Sequence, residues 1–188
     1  MDGSPKSLDD SLFQTNRHTV LNIEPMTRKM IWKLNQLQDL FKYVKEAGLD
    51  DVVFSVLGGI PYDYENLSRC TKGVLKNDRN VKQYIGNYLR DEISLAIELI
   101  EASKKQKEII KLFDKKKNCL PVHLLKEKGL IRPTPDHIFR KASKNGKWAL
   151  IPASNAIGIV LRHNLCERPT LQQLEELVKR ENHEFDEQ

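Results

Sequence analysis

Apolar residues along most of this chain recur at steps of three and four, the spacing of one face of an α-helix. Met30, Leu34, Leu37, Phe41 and Val44 form such a stripe and predict a helix from Thr27 to Ala47. Pro25 stands where a helix can begin, and Gly48 where a left-handed cap would end it. Asp50 and Asp51, ahead of Val52, Val53, Phe54, Val56 and Leu57, suit the positive end of a second helix, which Gly58-Gly59 would stop. Pro61 opens a short third helix through Leu67, and the polar run from Cys70 to Asn80 reads as a loop.

A long helical pattern then covers Val81 to Lys117. Ile85, Leu89, Ile93, Ala96 and Ile100 make its first stripe, and Ile109, Ile110, Leu112 and Phe113 its second. The polar stretch Ser103 to Lys107 between them leaves one rod, or two helices with a break, equally open. A short helix from Pro121 to Lys128 ends at Gly129.

One segment departs from helical spacing. Ile138 to Ser143 and Trp148 to Ala153 flank Lys144-Asn145-Gly146-Lys147, and Asn-Gly tolerates the positive φ that a two-residue hairpin turn requires. The expected register sets Ser143 opposite Trp148 and Lys141 opposite Leu150. Two helical segments close the chain, Asn155 to Leu165 and one beginning at Thr170. Thr170 with Gln173 has the spacing of a capping box, in which hydroxyl and amide satisfy each other's backbone N–H groups. The tail beyond Arg180 is expected to fray, and residues 1–22, with Gly3, Pro5 and several Ser and Asp, to form a flexible leader.

Composition narrows the chemistry. No run approaches the roughly 20 apolar residues of a membrane span, and the polar start lacks the basic-then-apolar order of a secretory signal. The expectation is an intracellular protein with no membrane contact. Cys70, Cys119 and Cys166 are odd in number, far apart and without CxxC spacing, as expected of reduced thiols. The five histidines show no ligand spacing, so no metal or other cofactor is expected. A phosphate cradle of the GxxxxGK[ST] type is absent, as is a GxSxG nucleophile elbow, so no catalytic residue is assigned.

Charge is uneven. Between Ser103 and Lys147 fourteen Lys or Arg stand against four Asp or Glu, whereas Cys166 to Gln188 has three basic and seven acidic residues. Such asymmetry fits a nucleic-acid surface beside an acidic tail, and equally a set of solvated lysine-rich faces.

The order of helix, turn, hairpin and further helix across Leu120 to Leu161, behind two upstream helices, matches a winged-helix module. Its wing carries Arg140, Lys141, Lys144 and Lys147, and Lys126 and Lys128 lie in the last turn of the preceding helix. These six are the candidate nucleic-acid-binding residues, suited to phosphates rather than bases. The recognition-helix position offers Pro121, Val122, His123 and Glu127, with no Arg, Asn or Gln to read base edges. A protein–protein spacer is the competing use of such a module.

Two short strings extend this picture. Gly58, Gly59 and Pro61 with Leu67 resemble the "GG-x-P…L" lid signature of AAA-like and STAND-like P-loop ATPases; read without that resemblance, they are plain helix punctuation. Leu124, Leu125, Gly129, Leu130 and Ile131 resemble the "LL-x-x-GLI" edge of the winged helix that follows such a lid. More narrowly, Phe54 to Leu67, Asn87 to Ile97 and Ile151 to Leu165 resemble the C-terminal region of trypanosomatid retrotransposon hot spot proteins. The resemblance spans about Asn22 to Leu165 and implies an intracellular, often nuclear protein associated with chromatin or RNA. It also implies that Gly58, Gly59 and Pro61 form a lid turn toward nucleotide, although the Walker A and B regions are missing here.

The expected fold is mainly α: a helical lid-like bundle followed by a winged-helix-like module with one β-hairpin. Its divisions are a leader (1–22), a lid-like subdomain (23–80), a winged-helix-like subdomain (81–165) and an acidic C-terminal helix and tail (166–188). Three functions follow. The first is a non-catalytic regulatory module binding DNA, RNA or a protein partner. The second is one part of an NTPase whose ATPase core is supplied elsewhere, and the third is a family remnant without function.

Overall fold

The computed structural model describes residues 25–72, 80–102, 107–128, 138–144 and 147–186. These form a mainly helical bundle with one antiparallel hairpin. The leader, the Gly129-Leu130-Ile131 string and the Asn145-Gly146 turn lie outside the described residues.

The helix expected from Thr27 to Ala47 is divided into α1 (Arg28–Ile31), a 3-10 turn (Asn35–Leu37) and α2 (Gln38–Glu46). The break falls at Leu34, whose ψ of 112° is extended. The Gln38 side-chain amide satisfies the carbonyls of Trp32 and Leu34 at 3.0 and 3.1 Å, so the interruption leaves fewer orphan groups. The division also re-aims the stripe: Ile31 and Leu40 are buried while Met30 is 51% exposed. Gly48 ends α2 at φ +68°, and Leu49 N–H donates back to the Val44 carbonyl, closing a left-handed cap.

Helix α3 (Asp50–Leu57) begins with its two acids facing the Arg28 guanidinium, which bonds Asp50 at 2.5 Å and also Asp51. Helix α4 (Pro61–Thr71) runs beyond the expected stop at Leu67 and takes in Cys70. It continues because Thr71, though polar, is buried with its hydroxyl donating to the Leu67 carbonyl at 2.7 Å. Helix α5 (Val81–Ala102) and the short α6 (Lys107–Ile110) carry the two apolar stripes, and the polar junction that separates one rod from two helices, residues 103–106, lies outside the described residues. The helical pattern expected to reach Lys117 stops earlier, because Asp114 and Cys119 pair as an isolated bridge across a turn.

Helix α7 (Val122–Glu127) leads to the hairpin, β1 (Phe139–Lys144) and β2 (Lys147–Pro152). Its register pairs Ser143 with Trp148 and Lys141 with Leu150, as expected. Helix α8 (Asn155–His163) is capped by the Ser154 hydroxyl and stopped by Asn164 in the left-handed region. The capping box forms at the start of α9 (Leu171–Asp186): Gln173 N–H donates to the Thr170 hydroxyl, and Thr170 N–H to the Gln173 side-chain oxygen. Helix α9 stays helical past Arg180, where fraying was expected, since Glu181 is fastened to α8.

One buried cluster runs through the whole bundle, from Ile31 and Leu37 through Val53, Ile85, Leu89 and Ile93 to Ile157, Val160 and Leu174. Helix α8 packs against both α3 and α5, and α9 against the same pair. The core is therefore shared across residues 80 and 165.

Candidate polyanion-binding surface

The hairpin is the framework of the charged surface. Alternation along β1 puts Phe139 and Lys141 on one face and Arg140 on the other. Phe139 is 2% exposed, so the Lys141 face is the one turned to the core. By register, positions 140, 144 and 147 share the opposite face. Four wing cations therefore divide three to one. Arg140 is half-buried, and among the described residues its buried Nε has no acceptor. Lys128 is exposed, and the side chains of Lys126, Lys144 and Lys147 lie outside the described residues.

A second basic element sits beside the ribbon. Phe113 packs on Phe139 with ring centroids 6.1 Å apart, and Leu120 N–H donates to the Leu150 carbonyl at 2.7 Å. These contacts hold both ends of the segment between them against the sheet. Within it Asp114 and Cys119 exchange two backbone hydrogen bonds, at 2.9 and 3.3 Å, and so close a turn over Lys115, Lys116, Lys117 and Asn118. The Asp114 carboxylate accepts from Lys117 N–H at 3.0 Å, and Asn118 supplies the positive φ of 51°. All three lysines are exposed.

These lysines belong to the basic stretch from Ser103 to Lys147, in a part of it whose periodicity predicts helix. The missed signal was Asp at the start of the run and Asn at its end, the two residues that most readily cap a turn with their own side chains.

The turn is braced from behind. Asn118 Oδ1 accepts from Arg162 Nη1 at 2.9 Å, and the remaining Arg162 edge grips Glu181 through Nε at 2.8 Å and Nη2 at 3.1 Å. His163 Nε2 lies 2.7 Å from the same carboxylate. Burial by itself would raise the Glu181 pKa, but Arg162 and then His163 outweigh it and hold the carboxyl below its ordinary range.

The lid-turn residues have a different occupation. Gly58 and Gly59 are buried, and a Cβ on Gly59 would stand 2.1 Å from the Met26 carbonyl oxygen. Met26 N–H donates to the Gly59 carbonyl at 2.8 Å, the Tyr64 hydroxyl to the Gly58 carbonyl at 2.7 Å, and Pro61 opens α4. The Asn155 side-chain amide fills the space beside Gly58 and donates to the Ser55 carbonyl at 3.2 Å. This string is a knot where the amino-terminal segment, α3, α4 and α8 meet.

Elsewhere the chemistry is sparse. Burial and then the neighbouring Glu92 raise the Asp63 pKa to about 6. Burial, then Asp114, raises that of the Cys119 thiol, which disfavours the nucleophilic thiolate. An open groove of about 550 Å³ between the α8–α9 connection and α9 is lined by Cys166, Arg168, Gln173 and Arg180 among others. Arg168 is engaged there by Asp91 at 2.5 Å. Among the described residues no group of three or more His, Cys, Asp or Glu could hold a metal ion, and no helix is long and apolar enough to cross a membrane.

Comparison of the chain with family models, curated proteins and solved structures finds no match in any of the three.

Proposed function

We propose that this chain is a non-catalytic module that binds nucleic acid through its phosphates, with little selectivity for sequence. The observation that carries the reading is the pinning of the Lys115–Lys117 turn to the edge of the ribbon, which sets three exposed lysines on a fixed backbone. Clustered cations on a fixed backbone gain affinity by releasing the counterions condensed on a polyanion. Helix α7 adds exposed His123 and Glu127 and no base-reading amide or guanidinium, which is why selectivity is low. The resemblance to a winged-helix region agrees with this use of the hairpin, and the nuclear location it implies belongs to the same proposal.

The alternative, a lid serving an ATPase core in trans, would use Gly58 and Gly59 toward nucleotide. Both are instead packed against Met26 and Asn155. The deciding experiment is a titration of the full chain with a labelled duplex and a labelled single strand at several salt concentrations. The expected log–log slope against salt is about −3 or steeper, nearly the same for unrelated sequences. No complex at low salt would overturn the proposal.

A further inference from the structure

The brace behind the lysine turn has a chemistry that stability alone does not require. A surface turn closed by its own Asp114 carboxylate and two backbone bonds already holds together. Yet Asn118, at the end of the turn, is tied across 44 residues to Arg162, and Arg162 in turn across 19 residues to Glu181. The guanidinium is nearly saturated: one edge forks onto the carboxylate and the remaining Nη1 points at the amide. Space has been left for this pair. A Cβ on Gly158 would lie 3.0 Å from Arg162 Nη1 and 3.4 Å from Asn118 Oδ1.

We propose that Arg162 is a positioning residue for the binding surface: through Asn118 it holds Lys115, Lys116 and Lys117 in one arrangement, and Glu181 of α9 holds Arg162. This rests on the phosphate-binding reading above and adds its control, because the C-terminal helix then sets how well ordered the basic turn is. Three lysines held in place meet a phosphate backbone together, whereas on a loosened turn each would have to be ordered at the moment of binding. Arg162 itself is only 23% exposed on its side chain and contacts no ligand in this scheme.

Two variants of the full chain separate positioning from folding. Asn118→Gly keeps the left-handed backbone, which glycine adopts freely, and removes only the tether. Arg162→Lys keeps a positive charge but loses the fork. Binding of a short labelled duplex is measured across salt concentrations, beside a thermal melt of each protein. The expected result for Asn118→Gly is a threefold to tenfold loss of affinity, roughly that of one ordinary net hydrogen bond, with a cooperative melt lowered by only a few degrees. The salt slope should shrink by about one, as fewer lysines engage at once. Arg162→Lys should show the same loss without rescue. If the wild type binds and both variants match its affinity and slope, the positioning role is overturned while the binding reading stands. If the wild type does not bind, the binding reading fails and this inference with it.

Discussion

At Gly59 the chain has room for a hydrogen atom and nothing larger. A methyl there would overlap the Met26 carbonyl, which is main chain and cannot rotate away. Gly59→Ala is therefore expected to cost roughly 3 kcal/mol or more, seen as a lowered urea midpoint with little change in slope. Asp63 is a milder case with a pH signature. Its carboxyl titrates near 6 in the folded chain against an ordinary 3.8, so the folded state prefers the proton. Its contribution is fully present below about pH 3.8 and lost as pH rises through 6. Asp63→Asn should stabilise the protein at pH 8 by about 1 kcal/mol, discounted for partial solvent access, and bring no gain at pH 3.5. Equilibrium unfolding at the two pH values checks the sign. Glu181 behaves oppositely. Its stabilisation is present above pH 4.5 and fades as acid brings the medium through its lowered pKa.

Among the elements, those fixed by local chemistry were legible in the sequence. The Thr170–Gln173 box, the Asp50-Asp51 helix start, Gly48 as a cap and the hairpin register all follow from residues a few positions apart. Thr170→Ala should remove one half of the box and cost about 1 kcal/mol, measurable by thermal or urea denaturation. Elements decided by distant partners were not legible. Helix α9 persists beyond Arg180 because Arg162 and His163, on another helix, hold Glu181. The break near Leu34 escaped because the apolar stripe keeps its spacing across it, while the side chain that makes the break tolerable is the polar Gln38. The helical pattern expected through Lys117 gives way at Asp114, where the turn-forming side chains of Asp114 and Asn118 outweigh the helix propensity of three lysines.

For the whole molecule, the separate charges matter less than their assembly. Of the residues named from sequence, Arg140 is partly sequestered and Lys141 sits on the core-facing side of the ribbon. The exposed Lys115, Lys116 and Lys117 were absent from that set. Local charge density is thus readable, but where the turn of Lys115 to Lys117 lies against the ribbon depends on Phe113 meeting Phe139 and Leu120 meeting Leu150. Replacing Lys115, Lys116 and Lys117 together by Ala should weaken duplex binding at least tenfold and reduce the salt slope by about two to three. Replacing Lys128 alone should have a much smaller effect; the same salt titration reads both. The single backbone bond between Leu120 and Leu150 has a further consequence for fragments of this protein. With the Phe113–Phe139 contact it keeps two cationic stretches, some thirty positions apart, at a mutual effective concentration that free peptides could reach only in concentrated solution. Equimolar peptides covering residues 111–120 and 138–152 should then bind polyanion far more weakly than the folded chain, although together they carry a higher net charge than its +5.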